Sequence, residues 1–190
     1  MVYLANPPDY SRLVNEYSWD KTYRLEKERR KESEPLITML SSMIKTIRRA
    51  LRPQDKIVSQ TEKLLRQLQN KSKEEPMTLL DVGCGIGDKA EAITRSLNDN
   101  FAVTLCPIGI EIGKDQAEKA NQALAPYGGY CIRDSAVEGM RSIENESIDL
   151  IILCSFLEHE INPLPLLRAC ADKLKPRGRV VIKVPNFNSL

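Results

Sequence analysis

Residues 79–88 read Leu-Leu-Asp-Val-Gly-Cys-Gly-Ile-Gly-Asp, a short apolar run followed by three glycines at alternate positions. The run up to Val82 predicts a buried strand, and a helical pattern begins near Asp88. Glycine in such a turn permits unusual backbone dihedrals and leaves no Cβ between the backbone and a ligand. The segment therefore predicts a ligand site at the carboxyl end of a first strand, where open α/β sheets bind their ligands.

The charges around these glycines favour a cationic ligand. A dinucleotide loop of the form GxGxxG needs a third small residue at position 88, which is Asp88 in this chain. A carboxylate at that helix start competes with a pyrophosphate for the N–H groups and repels it. Asp81 adds a second carboxylate just before the first glycine. The pair favours a ligand with ammonium and sulfonium centres and disfavours a nicotinamide-dependent oxidoreductase.

From Met77 onward, short apolar runs alternate with helical patterns. This alternation is typical of βαβ units in a parallel sheet that is covered on both faces. The predicted strands are 77–82, 108–112, 130–132, 148–154 and 179–184. The second strand is predicted to begin after Pro107, because proline cannot donate to a ladder. The predicted helices between the strands are 88–97, 114–124 and 163–174.

The N-terminal part of the chain has a different pattern. Apolar residues keep helical spacing over 36–51 and again over 57–68, which predicts helices. Segment 69–76 is polar and ends in proline, so it predicts a linker or turn. The chain is therefore divided into a helical segment over 1–75, serving as a lid or partner surface, and a ligand-binding domain over 76–190.

Composition restricts the function further. The 190 residues carry a net charge of +2. They contain neither a signal-like N-terminal apolar run nor a stretch near the roughly 18 apolar residues of a membrane span. An odd number of cysteines without a CxxC pair predicts reduced thiols in the cytoplasm, and a single histidine argues against a metal site. Basic clusters at 29–31 and 48–52 lack a nearby aromatic platform, so a solvated helical surface is favoured over nucleic-acid binding.

Six elements in order make the sequence resemble the class I S-adenosylmethionine (SAM)-dependent methyltransferases. Residues 79–87 resemble motif I of that family, and the likeness extends over roughly residues 77–190. The remaining matching segments are 109–111, 133–135, 147–150, 157–159 and 174–178. The texture is similar to the small-molecule branch that includes the ubiquinone-type O-methyltransferases. The resemblance implies a Rossmann-like three-layer α/β sandwich with a mostly parallel sheet, and SAM as the cofactor.

The resemblance also implies a role for each matching residue. The methionine part of SAM would be lined by Asp81, Gly83, Cys84, Gly85, Gly87 and Cys154. Glu111 would accept hydrogen bonds from both ribose hydroxyls, and charge-assisted bonds of this kind are strong. Asp134 would accept from the adenine amino group, while Ser135 would offer its backbone N–H to the ring. An ordinary turn or N-cap aspartate is the alternative for Asp134.

His159, the only histidine, lies near the expected site of methyl transfer. It is a candidate general base for an acceptor hydroxyl. The alternative, which we favour, is a turn histidine within a common family motif.

The function predicted from these features is transfer of a methyl group from SAM to an O, N or C nucleophile of a small-molecule acceptor. The alternative is a non-catalytic SAM-binding or methyltransferase-like partner subunit. The family continues for two strands beyond the fifth, and these strands are expected to be missing here. Strand 179–184 would then have an unpaired edge, which a second copy or a partner is expected to cover.

Overall fold

The computed structural model describes residues 56–69, 76–101 and 104–185, together with isolated positions between 28 and 39. The chain divides into two units, Met1–Asp55 and Lys56–Leu190, and nearly all described residues belong to the second. Of the expected lid or partner surface over 1–75, Lys56–Gln69 and isolated positions between 28 and 39 are described; the rest of it, with most of the predicted linker, lies outside the described residues.

The described strands of the second unit form one sheet in which every pair of neighbours is parallel. Along the sheet the strands lie in the order β3-β2-β1-β4-β5. The chain thus adds β2 and β3 on one side of β1 and then crosses over to place β4 and β5 on the other. The strands are β1 (Met77–Val82), β2 (Leu105–Ile110), β3 (Tyr130–Ile132), β4 (Ile148–Cys154) and β5 (Leu174–Lys183).

Helices cover both faces of this sheet. They are α1 (Lys56–Gln69), α2 (Asp88–Phe101), α3 (Lys114–Leu124), α4 (Ala136–Arg141) and α5 (Pro163–Lys173), with short 3-10 turns at Ala125–Tyr127 and Leu157–His159. Among the described residues, no helix has the length and apolar character needed to cross a bilayer. The predicted Rossmann-like α/β fold is confirmed.

The two faces of the sheet have separate apolar cores. One core joins Met77 and Leu79 of β1 to side chains of α1, α2 and α3, including the fully buried Leu65. The other joins Leu80 and Val82 of β1 to side chains of α4 and α5. Alternate residues of one strand thus serve opposite layers, as the pleat of a strand requires. Helix α1, which the sequence places in the N-terminal segment, packs in the first of these cores.

The predicted bounds of β2 are wrong. The strand begins at Leu105, ahead of the proline, and ends at Ile110. On the side of β2 that faces β3, Pro107 is tolerated because β3 begins only at Tyr130, opposite Ile108. The ladder to β1 continues past the proline, with Leu79 opposite Pro107. Proline therefore occupies a position where β3 provides no paired residue, so its missing N–H removes no ladder hydrogen bond.

The fifth strand also begins earlier than predicted. Helix α5 ends at Lys173, and β5 pairs with β4 first at Leu174 and then from Arg179 onward, with an irregular register between them. Arg177 has a φ of 76°, which marks this irregularity as a bulge-like turn. The segment 174–178, which matches the family in sequence, thus contains an interruption within the strand.

One carboxylate ties the amino ends of three strands together. Asp149 Oδ2 of β4 accepts a hydrogen bond from the backbone N–H of Thr78 at 2.8 Å. The same oxygen accepts from Lys175 Nζ of β5 at 2.8 Å. These contacts join β1, β4 and β5 at the edge of the sheet opposite the glycine turn.

Candidate functional site

The loops that follow β1, β2 and β3 are held side by side at the carboxyl edge of the sheet. The backbone N–H groups of Gly83 and Cys84 both donate to the carbonyl oxygen of Ile110, at 2.8 and 3.1 Å. The N–H of Glu111 donates to the carbonyl oxygen of Ile132 at 3.0 Å. Because all the strands are parallel, their carboxyl ends meet at one edge, and the predicted site residues from three loops become neighbours.

The three glycines of the turn have left-handed backbone conformations but different surroundings. Gly83, Gly85 and Gly87 have φ values of 69°, 58° and 81°. A Cβ on Gly83 would collide with the ring of Phe156, and one on Gly87 would lie 3.2 Å from the Cα of Ala120 in α3. A Cβ on Gly85 would meet no atom of the described residues within 4 Å. Two of the glycines therefore serve close packing, whereas Gly85 faces space that the described residues leave open to a ligand.

Glu111 connects this turn to the loop after β2. Its Oε2 accepts a hydrogen bond from the backbone N–H of Gly85 at 3.0 Å. Its Oε1 accepts from the N–H of Gly113 at 2.8 Å. Each carboxylate oxygen can accept more than one hydrogen bond, so the partly buried Glu111 holds the turn in place and keeps acceptor capacity for a ligand.

Asp81 is the unusual charge of the site. The residue is only 2% exposed, and its Oδ2 has no hydrogen-bond partner in the described part of the chain. The pKa of Asp81 is raised from 3.8 to about 7, chiefly by burial; the charge of Lys89 opposes this rise, and the carboxylates of Asp88 and Glu111 contribute to it. A buried carboxyl without a partner is costly, so a cationic group placed beside it would be stabilising.

Asp134 and Ser135 form a local turn at the end of β3. The backbone N–H of Ser135 donates to Asp134 Oδ1 at 2.7 Å. The Ser135 hydroxyl caps α4 by accepting from the N–H of Glu138 at 3.4 Å. Asp134 itself is exposed. The Ser135 N–H is therefore engaged, and an adenine ring would have to replace the Asp134 oxygen to receive that hydrogen bond.

The residues after β4 lie on the other side of β1. Cys154 ends the strand and is partly buried against the first core. His159 is exposed in the 3-10 turn Leu157–His159, and its backbone N–H donates to the carbonyl oxygen of Phe156 at 2.9 Å. No sequence signal marks Phe156, an apolar residue in a polar loop, yet its ring closes the space beside Gly83.

Cys131 is a second residue near the site that the motifs do not single out. Its Sγ lies 3.8 Å from the Sγ of Cys84. Gly109 makes room for both sulfurs, since a Cβ there would lie 2.6 Å from the Cys84 Sγ and 3.4 Å from the Cys131 Sγ. The five cysteines all lie in the described residues, and none of them is in a disulfide.

Solved structures with the same architecture are methyltransferases. The chain is similar to the CurJ carbon methyltransferase, with 22% identity, a TM-score of 0.55, and coverage of 66% of this chain and 34% of that one. It is also similar to the geranyl diphosphate C-methyltransferase of Streptomyces coelicolor, with 18% identity, a TM-score of 0.50, and coverage of 65% and 43%. At these identities the likeness establishes the fold.

The sequence comparison defines the family. The chain belongs to the family described as methyltransferase domain, whose model matches residues 46–189. It is 29% identical over 114 residues to a ubiquinone biosynthesis O-methyltransferase of Cereibacter sphaeroides, covering 60% of this chain and 43% of that protein. It is 32% identical over 111 residues to the protein of the same name from Vibrio cholerae, covering 58% and 42%. The chain thus matches less than half the length of these relatives. The family match confirms the predicted resemblance to SAM-dependent methyltransferases.

Proposed function

We propose that this chain binds SAM at the carboxyl edge of the sheet and transfers its methyl group to a small-molecule acceptor. The observation that carries the proposal is the space at Gly85 that the described residues leave open, beside the Glu111 carboxylate that accepts the Gly85 N–H. The buried carboxyl of Asp81, near the carboxyl end of β1, is close enough to Glu111 for that charge to raise its pKa. A ligand that combines cationic centres with ribose hydroxyls is complementary to this arrangement. A pyrophosphate is not, because two carboxylates flank the turn.

The fit can be argued group by group. The ammonium of the methionine part would lie near Asp81 and give its orphaned Oδ2 a charged donor, which offsets the cost of ionising that carboxyl. The ribose hydroxyls would donate to the Glu111 oxygens, which are held in place by the Gly85 and Gly113 N–H groups. Gly83, Cys84 and Gly87 would contribute backbone to the same wall, with Cys154 beside it. Asp134 and Ser135 would receive the adenine, after the rearrangement of their mutual hydrogen bond.

When bound, SAM supplies a methyl group activated by the positive charge on sulfur. The protein's own task is then to align donor and acceptor and to exclude water, and alignment alone can supply a large share of the rate. The names of the relatives indicate an oxygen nucleophile. His159, exposed in the 3-10 turn that follows β4, is the candidate base that would remove the proton of such a hydroxyl.

The outer strand of the sheet adds a proposal about partners. Val180 and Ile182 of β5 and Val184 just after it are 39%, 42% and 49% exposed and alternate along the chain, so they form an apolar stripe on one side of this outer segment. We propose that further polypeptide, from a second copy or another protein, covers this edge. Sedimentation that shows a monomer with full methyl-transfer activity would contradict it. The five cysteines, none of which is in a disulfide, support a cytoplasmic location.

Calorimetry with SAM and with S-adenosylhomocysteine tests the cofactor assignment, because the second ligand lacks the sulfonium charge. The decisive variant is Gly85→Ala, and Gly128→Ala is its matched control. Both glycines have positive φ, 58° and 71°, and a Cβ would meet nothing within 4 Å at either position. Both variants therefore carry a similar backbone penalty of about 1–2 kcal/mol.

Only Gly85→Ala places a methyl group in the proposed ligand space, so we expect it to weaken SAM binding at least about tenfold while Gly128→Ala leaves it unchanged. Equal affinities for the two variants would overturn the site. A methyl-transfer assay on hydroxyl-bearing small molecules then separates the two functions. Binding without turnover on any acceptor would favour the non-catalytic SAM-binding subunit.

A further inference from the structure

Two thiols lie together beneath the proposed SAM loop. Cys84, in the loop itself, is buried, and Cys131, in β3, is partly exposed. Their sulfurs are 3.8 Å apart although 47 positions separate them in sequence. The missing side chain of Gly109 leaves the space in which they meet. A disulfide needs a sulfur–sulfur distance of about 2.05 Å, so the two sulfurs must move closer together before they can bond.

The two thiols are chemically unequal. The hydrogen bond between the sulfurs lowers the pKa of Cys131, against an opposing effect of its partial burial. The same hydrogen bond raises the pKa of Cys84, and burial and the charges of Asp81 and Glu111 raise it further. Cys131 is thus the more accessible partner, and Cys84 is the protonated, buried one. This division matches an attacking and a resolving cysteine.

We propose that Cys84 and Cys131 are a redox-sensitive pair whose disulfide disables the SAM loop. This inference rests on the proposed function for its consequence, but not for the disulfide itself. The oxidant is a small-molecule disulfide such as oxidised glutathione. The Cys131 thiolate attacks one of its sulfurs, breaks the S–S bond and releases one glutathione thiolate. Cys84 passes its proton to that thiolate and attacks the Cys131 sulfur, which releases the second glutathione. Two protein thiols are oxidised and one disulfide is reduced to two thiols.

The bond would act on the loop through Cys84. Closing the gap draws its sulfur toward β3, while the backbone of Cys84 is held by Ile110 and the next N–H is held by Glu111. The turn that positions Gly85 must therefore shift or stiffen. By linkage, if the disulfide weakens SAM binding, bound SAM must disfavour disulfide formation to the same extent.

The disulfide is tested by incubating the purified protein with oxidised glutathione, blocking the remaining thiols with N-ethylmaleimide and mapping unreduced peptides by mass spectrometry. We expect a Cys84–Cys131 linked peptide that Cys131→Ser abolishes. Cys106→Ser is the matched control, because Cys106 is also partly exposed but its Sγ contacts the carbonyl oxygen of Gly128 at 3.3 Å. It should leave the linkage intact. Two reduced thiols after treatment, or links only between separate molecules, would overturn the proposal.

The consequence is measured on the same samples. Oxidised protein should bind SAM at least about tenfold more weakly, within the ordinary range of coupling between sites, and Cys131→Ser should bind equally before and after treatment. Unchanged affinity in a protein with the mapped disulfide would refute the switch. If the reduced protein does not bind SAM, the proposed function fails separately. Hydrogen exchange at residues 83–87 then decides the loop effect, since protection must change on oxidation in wild type and not in Cys131→Ser.

Discussion

Replacing Asp81 with asparagine should remove the pH dependence that the Asp81 carboxyl gives to the free energy of unfolding. The carboxyl of Asp81 is 2% exposed, and burial raises its pKa from 3.8 to about 7. Between these two values the folded protein keeps a proton that the unfolded chain has released. The free energy of unfolding therefore falls as the pH rises from 3.8 toward 7 and is constant above that. Asparagine has a similar shape but does not titrate.

The size of the effect follows from the shift. Each unit of pKa corresponds to about 1.4 kcal/mol, so the change from 3.8 to about 7 gives about 4 kcal/mol in total. Wild type should lose that amount relative to Asp81→Asn across this pH range. The affinity for SAM should depend on pH in the opposite direction, because the proposed ammonium pairs with the ionised carboxyl of Asp81. The affinity of wild type should rise about tenfold per pH unit below pH 7 and then level off.

Urea unfolding of both proteins between pH 4.5 and 8 measures the difference directly. Asp99→Asn removes one exposed carboxylate of α2 and controls for the change in net charge. Calorimetry with SAM over the same range gives the second profile, which should be flat for Asp81→Asn. If the difference in unfolding free energy between wild type and Asp81→Asn changes by less than about 1 kcal/mol over this pH range, the carboxyl is not desolvated as described, and the reasoning fails.

Three further predictions concern separate parts of the fold. Gly87→Ala should lower the free energy of unfolding by about 1–3 kcal/mol in urea titrations, because the new Cβ meets the Ala120 backbone at 3.2 Å and φ is 81°; an unchanged midpoint would contradict the close packing of the turn on α3. Asp149→Ala should lower the free energy of unfolding by about 1–3 kcal/mol, because two hydrogen bonds to the Asp149 carboxylate are lost. It should leave SAM affinity unchanged, because Asp149 lies at the edge of the sheet opposite the glycine turn. His159→Gln should leave SAM affinity unchanged, because the side chain of His159 is exposed and lies outside the glycine turn. Turnover at the wild-type rate would exclude His159 as a general base, whereas a fall in turnover of about a hundredfold would support that role.

The sequence was most informative where the governing physics is local. The strand, the glycine turn and the following helix are encoded within residues 79–88, since apolar periodicity and glycine content act over a few positions. The order of alternating elements then indicated a parallel sheet, and with it a common edge for Asp81, Glu111 and Asp134. The bounds of β2 were wrong because the effect of Pro107 depends on where β3 begins, which no local pattern states.

The tertiary structure decided what the turn can do. In sequence the three glycines are equivalent, but Phe156 and α3 fill the space beside two of them and leave Gly85 open. Register likewise brought Cys131 to Cys84 and placed the Glu111 carboxylate under the Gly85 N–H. These contacts join residues far apart in the chain, so they exist only once strand pairing has fixed which side chains become neighbours. Local sequence therefore built the turn, and packing among the described residues left the space beside Gly85 open to a ligand.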